Sequence, residues 1–444
     1  MQSAALSILR TLREQGFDAY FAGGCVRDLL LGREPADYDI ATSATPSEVL
    51  RLYPNAFAVG AQFGVVLAPY ESETGKGNIE IATFRNDGAY SDGRHPDSVR
   101  FSKTAAEDVL RRDFTINGLL LDPLNENKVF DYVGGRDDLK AGIIRTIGDP
   151  HRRFSEDKLR MLRAVRFAAR FGYTIEPATF AAIRELAAEI RQISHERVRD
   201  ELTKILTEGR ARRAFELLDE TDLLHHVLPE VEALKSVEQP PQFHPEGDVW
   251  VHTLMLLEGL KAGCPPTLAY GALLHDVGKP PTFRRATERI RFDGHADIGS
   301  KMAAEICNRL RMSNDDKEQI VAIVANHMKF PELPRMRVST LKRFLRQPRF
   351  EEHMEMHRLD CLASHGDLSL YHFALQKVET IPAEQIRPQP LITGDDLIAA
   401  GYPPGPSYSS MLREVEDAQL DGAIHSKEEA MEFVRQRFGG PGCG

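Results

Sequence analysis

The sequence predicts a multi-domain protein that begins with an α+β head and continues as helical segments. The length of 444 residues is too great for one ordinary domain and suggests about three. Short apolar runs separated by turn residues fill the first 140 residues, whereas apolar residues recur at three-to-four spacing from about Arg152. Hydrophobic residues at 42% and charged residues at 27% are typical of soluble globular proteins.

Strand and helix patterns alternate in the predicted head, residues 1–140. Four short apolar runs bounded by turn residues predict strands. Two short helical patterns follow the first strand, one closed by Gly32 and one opened by Pro46. The predicted strands cover residues 19–22, 65–69, 79–83 and 129–132, and the predicted helices cover 26–31 and 46–52.

Three further segments follow the head. Residues 141–235 predict an all-α neck, because no strand signal interrupts the helical spacing up to Leu228. Prolines mark residues 236–248 as a linker or entry loop. Residues 243–370 predict a helical domain rich in histidine, and residues 371–444 a short tail that opens on a proline-punctuated stretch.

The charge distribution limits where a nucleic acid could bind. The formal charge of −10 is unlike that of proteins with broad basic surfaces for phosphate backbones. Residues 141–215, however, contain 16 Lys and Arg against ten Asp and Glu. We therefore expect RNA to lie along the neck beside the head, held by few phosphate contacts, modestly and in a salt-sensitive way.

Two observations bear on the compartment. No apolar run approaches the roughly 18 residues of a membrane span, and the start of the chain lacks a signal-peptide pattern. The five cysteines are scattered and form no CxxC pair, which suits a reducing environment. We expect a cytoplasmic protein with no membrane partner.

The head contains a pattern suited to phosphate and metal chemistry. Gly23 and Gly24 lie between a predicted strand and helix, where backbone N–H groups can approach a phosphate, and Arg27 adds a forked cation. Asp37 and Asp39, two apart on a predicted strand, would project from one face toward a shared divalent cation. A tight turn and a solvated Asp-x-Asp are the simpler interpretations of these two motifs taken singly.

Five ordered blocks of the sequence resemble one family. They resemble the heads of bacterial tRNA nucleotidyltransferases and the related poly(A) polymerases, over roughly the first 230 residues. The resemblance implies a polymerase-beta-like nucleotidyltransferase head. The blocks are residues 21–33, 37–46, 79–85, 111–117 and 154–160.

The resemblance also implies roles for individual head residues. Asp37 and Asp39 would hold Mg²⁺ ions that activate the attacking 3′-hydroxyl and neutralise the leaving pyrophosphate. Glu80, on a later strand, is a candidate third carboxylate. The remaining roles are nucleotide binding, in which Gly23, Gly24 and Arg27 would cradle the triphosphate, Arg112 and Asp113 would hold the sugar, and Asn117 is a further nucleotide-binding residue.

A spacing of three residues predicts a base-reading pair. Asp157 and Arg160 would share one helix face and present an acceptor beside a donor. Such a pair satisfies the Watson–Crick edge of cytosine or of adenine and leaves buried polar groups unpaired against uracil or guanine. A helix salt bridge is the simpler alternative. Arg163 and Arg166 would extend the basic stripe, with Arg163 contacting the nucleotide and Arg153 a phosphate.

The loop over residues 85–96 bears on which nucleotide is added. It is rich in Gly, Asp and Ser, and a surface loop of that composition is unremarkable by itself. In the family, the corresponding loop repositions the template so that adenosine follows cytidine. Its presence implies that this chain can add A.

The third segment carries a candidate metal site. His252, His275, Asp276 and Asp360 supply imidazole and carboxylate ligands for a divalent metal. Their order resembles the HD phosphohydrolase superfamily over residues 243–370, with Ni²⁺, Mn²⁺ and Mg²⁺ as candidate ions. His295 and His327 fall where that superfamily places histidines for a second metal or a phosphate. The resemblance implies phosphatase or 2′,3′-cyclic phosphodiesterase activity on tRNA 3′ ends.

The combined expectation is an enzyme that adds C, C and A to the 3′ end of tRNA from CTP and ATP. Its predicted fold is an α+β polymerase-beta-like head, an all-α neck, an all-α HD domain and a short tail. Three alternatives stay open: an enzyme that adds only A to C-C ends, a poly(A) polymerase, and a metal-dependent HD phosphohydrolase whose head only binds RNA. The segment after Pro382 lacks the basic tail typical of poly(A) polymerases.

Overall fold

The fold consists of two compact units, Met1–Glu232 and Ala233–Gly444, called unit 1 and unit 2 below. The structure is a computed structural model that describes residues 1–59, 64–72, 75–87, 99–240, 247–285 and 290–440. Among these residues, no helix is both long enough and apolar enough to cross a membrane. The predicted fold class, a mixed head followed by helical domains, is confirmed.

Unit 1 begins with a mixed sheet flanked by short helices. Helix α1 (Gln2–Glu14) buries Leu9 and Leu12 with their helical neighbours on one face. The other elements of the head, in chain order, are β1 (Ala19–Ala22), α2 (Gly24–Leu30), β2 (Asp39–Thr42), α3 (Pro46–Leu52), β3 (Phe57–Ala58), β4 (Val65–Ser72), β5 (Gly75–Thr83), β6 (Arg85–Asp87), β7 (Val99–Phe101), α4 (Ala105–Leu110), β8 (Leu119–Asp122), β9 (Lys128–Asp131) and α5 (Gly135–Ala141).

The seven-stranded sheet has the order β3-β4-β5-β2-β1-β8-β9. The β2–β5 pair is parallel and places Asp39 beside Glu80 in register. The other adjacent pairs are antiparallel. The register brings two carboxylates from distant parts of the sequence to neighbouring positions of two strands.

Local sequence explains the connections next to β1 and β2. Gly23 turns the chain between β1 and α2 with φ of 71°, a value that favours glycine. Thr45 and Glu48 form a capping box at the start of α3, and Pro46 occupies its first turn. These local signals explain why both helices could be predicted from the sequence.

The neck of unit 1 is helical but contains two interruptions. Strand β10 (Ile143–Ile144) pairs in parallel with β11 (Thr174–Ile175), so the prediction of a neck without strands was wrong. The helix before β11 ends at Phe171 and is followed by Gly172, which has a left-handed backbone conformation, and Tyr173 connects it to β11. The helices are α6 (Pro150–Glu156), α7 (Leu159–Phe171), α8 (Pro177–Leu186), α9 (His195–Thr207), α10 (Ala211–Glu220), α11 (Leu223–Val227) and α12 (Pro229–Glu232).

Unit 2 is helical apart from one small ladder. Strands β12 (Arg284–Arg285) and β13 (Ile290–Arg291) pair antiparallel. The helices of this unit are α13 (Val249–Gly259), α14 (Pro266–Leu274), α15 (Lys279–Thr282), α16 (His295–Arg309), α17 (Asn314–Asn326), α18 (Val338–Leu345), α19 (Phe350–Ala363), α20 (Ser369–Thr380), α21 (Ala383–Ile386), α22 (Gly394–Ala399), α23 (Ser407–Leu420) and α24 (Lys427–Phe438).

The end of unit 2 has its own small core. Leu397, Met411, Val415 and Val434 are buried together among the last three helices. A separate cluster, which includes Phe330 and neighbouring aromatic residues, lies beneath α18 and α19.

Charged contacts join these two clusters. Arg343 on α18 donates to Glu416 at 2.6 Å and also to Asp417, both on α23. Lys342 donates to the Leu420 carbonyl at 2.8 Å. The segment predicted as a tail is therefore helical and docked.

We expect His353 to make the stability of unit 2 sensitive to acid. His353 is 2% exposed in the aromatic cluster, and its Nε2 has no hydrogen-bond partner in the described structure. Burial and then the charge of Lys329 lower its pKa from 6.5 to about 4. A folded-state pKa below the unfolded value means that this stability is complete above pH 6.5 and decreases as the pH falls toward 4, by about 3 kcal/mol in total.

Thermal unfolding of wild type and His353→Leu between pH 4 and 7.5 checks this. The variant should gain stability relative to wild type as the pH falls. His372→Leu, at an exposed position on α20, is the matched control and should show a constant difference. A constant difference for His353→Leu as well would contradict the expectation.

Candidate nucleotide-binding and metal sites

Three head carboxylates converge at the ends of β2 and β5. Asp39 begins β2, whereas Asp37 lies two residues before it, so the prediction that both lie within one strand was wrong. The alternation nevertheless holds, because Tyr38 is buried against Phe21 while Asp37 is exposed. Glu80 stands beside Asp39 in register.

The carboxylates of this cluster repel one another, and the pKa values of two of them are raised. Burial, and then the charges of Glu80 and Asp37, raise the pKa of Asp39 to about 7. Burial and Asp37 also raise the pKa of Glu80. A divalent cation would relieve this repulsion, and carboxylate oxygens are the ligands that Mg²⁺ prefers. The residues therefore fit a magnesium site, in which Glu80 is the third candidate ligand.

The predicted phosphate cradle combines an open turn with a buried arginine. Gly23 has a positive φ, and a Cβ at this position would lie 3.0 Å from Nη1 of Arg112. Glycine therefore allows the Arg112 guanidinium to lie close to the turn. Arg27 is 4% exposed and donates to Asp28 at 2.9 Å and to Oδ1 of Asn117 at 2.7 Å. Gly24 begins α2 directly beside it. The guanidinium of Arg27 is thus fixed inside unit 1 next to the turn.

Asp113 is the centre of a hydrogen-bonded chain behind that turn. Its Oδ1 accepts from the Phe114 N–H at 2.8 Å and from Asn117 at 3.1 Å, and its Oδ2 accepts from Arg163 at 2.7 Å. Burial opposes ionisation, but Arg163 and Asn117 lower the pKa of Asp113 to about 2. Arg112 donates to Asp108 at 3.0 Å. The structure brings together the residues predicted to hold the sugar, with Arg163 as an added member.

The predicted base-reading pair lies at a break between two helices. Helix α6 ends at Glu156, Asp157 has an extended backbone with φ of −151° and ψ of 106°, and α7 begins at Leu159. Asp157 and Arg160 therefore do not share a helix face, and the spacing argument was wrong. The alternative of a salt bridge between them also fails, because each has another partner. Asp157 pairs with Arg197 at 2.8 Å, and Arg160 pairs with Glu156 at 2.8 Å.

Arg153 ties this break to the Arg112–Asp113 segment. Its side chain is 10% exposed and donates to Glu156 at 2.8 Å. It also donates to the carbonyls of Ile147 at 3.0 Å, Leu110 at 2.9 Å and Arg111 at 3.3 Å. Arg160 donates to the same Arg111 carbonyl at 3.3 Å. Arg153, predicted as a phosphate contact, thus makes four internal contacts.

Much of the predicted basic stripe is paired within the neck. Arg166 is 6% exposed and donates to Glu201 and, at 3.0 Å, to Glu208. Arg163 is held by Asp113. Sequence reasoning missed Arg197, Glu201 and the anchoring role of Glu156. Only Glu156, with basic residues at i−3 and i+4, carried a local signal.

The loop over residues 85–96, which was predicted to reposition the template, lies largely outside the described residues. Its flanks form the short antiparallel ladder β6–β7, in which Arg85 pairs with Phe101. Residues 88–98 are not described.

Unit 2 brings the predicted histidine and aspartate ligands together at the ends of its helices. Two groups of three residues have ligand atoms within 4.8 Å of one another; they are His252, His275 and Asp360, and Asp276, His295 and His327. Nε2 of His252 lies 3.1 Å from Asp360, and Nε2 of His275 lies 3.0 Å from Oδ2 of Asp276. Oδ1 of Asp276 faces His295 at 3.6 Å and His327 at 3.8 Å. Asp276 therefore lies between the two groups.

Backbone contacts aim three of these histidines. Nδ1 lies 2.9 Å from the Ala272 carbonyl in His275, 2.9 Å from the Phe292 carbonyl in His295 and 2.7 Å from the Val324 carbonyl in His327. A proton on Nδ1 leaves Nε2 as the ligand atom, the usual arrangement of metal-binding histidines.

The protonation states suit metal binding. Burial, and then the charge of His275, lower the pKa of His327 to about 4, and burial lowers the pKa of His295. His275 and Lys279 hold the pKa of Asp276 well below its usual range despite burial. Neutral imidazoles and ionised carboxylates are the ligating forms. The six residues fit a divalent metal site.

A cavity of about 970 Å³ opens beside this cluster. The cavity is lined by His275, Asp276 and Asp360 and by the apolar side chains of Phe292 and Met328. Lys279 adds a cation, although it donates to Asp276 at 2.7 Å and to Gln239 at 2.6 Å. The arrangement can receive a phosphoester with an attached apolar or aromatic group.

We expect Arg153 to be a major stabilising residue of unit 1. Arg153→Met would remove the side-chain donor of the Ile147 and Leu110 carbonyls and one of the donors of Glu156 and of the Arg111 carbonyl, a loss of roughly 3–5 kcal/mol. Arg152→Met is the matched control, since the Arg152 side chain is 78% exposed and contacts the same Glu156 at 3.4 Å. Its expected cost is within about 0.5 kcal/mol. Chemical denaturation of both variants measures the two costs, and equal costs would contradict the proposed difference.

Comparisons with known proteins agree with the geometry of both units. Three family models match: "Poly A polymerase head domain" over residues 19–145, "Probable RNA and SrmB-binding site of polymerase A" over 172–235, and "HD domain" over 249–365. The first match contains the three head carboxylates, and the third contains the six candidate metal ligands of unit 2.

Curated relatives match about half of the chain. The chain is 45% identical over 219 residues to the CCA-adding enzyme of Geobacillus sp. (strain WCH70), a match that covers 49% of this chain and 53% of that enzyme. It is 41% identical over 259 residues to the CCA-adding enzyme of Lactobacillus helveticus, covering 57% and 63%. The chain thus spans about half the length of the curated relatives it matches.

Solved structures extend the likeness along the whole chain. The Bacillus stearothermophilus CCA-adding enzyme in complex with CTP matches with a TM-score of 0.74 at 27% identity, covering 98% of this chain and 97% of that one. The Thermotoga maritima CCA-adding enzyme complexed with tRNA matches with a TM-score of 0.56 at 21% identity, covering 98% and 94%, and shows the fold alone. Domain by domain, the chain therefore contains one region that matches the poly(A) polymerase head domain, one that matches the RNA-binding site of polymerase A and one that matches the HD domain.

Proposed function

We propose that this chain adds C, C and A to the 3′ end of tRNA from CTP and ATP without a nucleic-acid template. One observation carries the proposal: Asp157 is fixed by Arg197, and Arg160 is fixed by Glu156 and by the carbonyl of Arg111, the neighbour of the predicted sugar-binding residues. An acceptor and a donor at that position can read a base edge as a template would. The likeness to CCA-adding enzymes, one of them solved with CTP, supports it.

The base edges explain the proposed choice of nucleotide. Cytosine and adenine each present an amino donor beside a ring-nitrogen acceptor. A carboxylate can accept from the amino group while a guanidinium donates to the ring nitrogen. Uracil and guanine present a carbonyl acceptor and a ring N–H at the equivalent positions, which would oppose acceptor to acceptor and donor to donor.

The head carboxylates would serve the transfer itself. Asp37, Asp39 and Glu80 would hold Mg²⁺, which supplies activation of the 3′-hydroxyl and neutralisation of the departing pyrophosphate. Gly23 and Gly24 leave room for the triphosphate, and Arg112 and Asp113 would orient the ribose. A tRNA substrate is consistent with a cytoplasmic location and with the free thiols of the four described cysteines.

Defined transcripts test the proposal. Transcripts that end before C-C-A, after the first C and after C-C are each supplied with CTP, ATP or both. We expect two C additions and one A addition, all lost in Asp39→Asn because the cation site is broken. Addition of A to C-C ends without any C addition would identify an A-adding enzyme. Unlimited A addition would identify a poly(A) polymerase.

We also propose that unit 2 hydrolyses phosphoesters such as 2′,3′-cyclic phosphates at tRNA ends. The observation that favours this is the pair of ligand groups, five of whose six residues line the 970 Å³ cavity. A bound divalent ion, with Ni²⁺, Mn²⁺ and Mg²⁺ as candidates, would supply an activated water. Lys279 and the histidines of the two ligand groups would position the phosphoester in this cavity.

Metal content and hydrolysis test this second activity. The chelated and reloaded protein should bind two ions per chain, one for each group, and should hydrolyse 2′,3′-cyclic AMP. His295→Ala should retain one ion, because it breaks one group, and Asp276→Asn should abolish hydrolysis without changing nucleotide addition. His372→Leu, outside the cluster, serves as the control. Two ions in His295→Ala, or hydrolysis by Asp276→Asn, would contradict the proposal.

A further inference from the structure

The carboxylate of Asp157 is gripped by an arginine from another helix. Nη1 of Arg197 donates to Oδ1 at 3.1 Å, and Nη2 donates to Oδ2 at 2.8 Å. The Leu159 N–H also donates to Oδ1 at 3.1 Å. Both side chains are largely shielded, with 21% of Arg197 and 18% of Asp157 exposed. This two-point contact fixes the plane of the carboxylate.

The backbone of Asp157 does not supply that fixation. Asp157 lies between α6 and α7, and its carbonyl accepts from the Arg160 N–H at 3.1 Å, a contact that does not fix the plane of its side chain. Arg160, in contrast, is held by Glu156 and by the carbonyls of Arg153 and Arg111. The two candidate base-reading side chains are therefore anchored independently, and the anchor of Asp157 is Arg197.

We propose that Arg197 is a positioning residue that sets base specificity through Asp157. The inference rests on the proposed function. Arg197 occupies one lone pair on each oxygen, and the Leu159 N–H takes the other lone pair of Oδ1, so the remaining lone pair of Oδ2 accepts within one fixed plane. A base amino group that approaches in this plane finds an acceptor, whereas a uracil or guanine carbonyl meets only oxygen. Without Arg197 the carboxylate can rotate and lose this discrimination.

Arg197 lies near the start of α9, forty residues from Asp157 in sequence. Its planar fork matches a carboxylate at two points, which the single ammonium of a lysine cannot do. Methionine preserves much of the aliphatic length without any donor. Arg197→Met and Arg197→Lys therefore separate the loss of the contact from the loss of its two-point geometry.

The test is the ratio of kcat/KM for CTP to that for UTP on a transcript that ends before C-C-A. We expect Arg197→Met to lower this ratio roughly 10- to 100-fold, the size of effect seen when an orienting partner is removed. Arg197→Lys should recover part of it. Arg199→Met is the matched control on the same helix, because Arg199 pairs with the exposed Asp200 at 2.7 Å. It should leave the ratio unchanged.

A double-mutant cycle with Asp157→Ala shows whether Arg197 acts through Asp157. In the Asp157→Ala background, Arg197→Met should lower the ratio no further. An equal additional loss would overturn the inference, as would an unchanged ratio in Arg197→Met with wild-type thermal stability. An equal fall of both kcat/KM values, with the ratio kept, would show a structural role only and also overturn it.

The wild-type enzyme distinguishes the inference from the function on which it rests. If wild type adds neither C nor A, the proposed function fails and the inference fails with it. If wild type adds both and Arg197→Met keeps the discrimination, only the inference fails.

Discussion

The buried guanidinium of Arg153 holds together the parts of unit 1 that form its candidate nucleotide site. It satisfies the carbonyls of Leu110, Arg111 and Ile147 and pairs with Glu156. Carbonyl oxygens that are shielded from water need hydrogen-bond donors, and Arg153 supplies them from a different segment of the chain. The segment that carries Arg112 and Asp113 is thereby fixed against the helix break that carries Asp157 and Arg160. The positions of the groups that would face sugar and base therefore depend on one another.

The two candidate metal sites differ in how their electrostatics are balanced. In the head, burial and neighbouring carboxylates raise the pKa of Asp39 to about 7, so the cluster lacks positive charge. In unit 2, burial lowers the pKa of His327 to about 4, and the pKa of Asp360 lies below its usual range because His252 donates to it. His327 and Asp360 are thus held in the forms that bind a metal ion, a neutral imidazole and an ionised carboxylate. The head cluster fits a cation that arrives with substrate phosphates, as is usual for Mg²⁺.

Ion pairing also changes the meaning of the positive charge in the neck. Residues 141–215 carry six more basic than acidic residues. Several of those arginines are internal, since Arg163 pairs with Asp113 of the head and Arg166 pairs with Glu201 and Glu208. The charge that faces solvent is correspondingly smaller than the count. A modest, salt-sensitive affinity for RNA is the physical expectation for such a surface.

The sequence by itself determined the domain types, the strands and helices beside the sheet, and nearly all residues that line the two sites. It could do so because turn glycines, a proline-led capping box and ordered motifs are local signals. Only the tertiary structure decided how those residues are held. It placed Asp157 outside a helix, gave Asp157 and Arg160 separate partners in Arg197 and Glu156 instead of a shared helix face, and inserted β11 into the neck. Partners such as Arg197 and Asp157 are forty residues apart, and no periodicity links positions whose contact depends on the packing of separate helices.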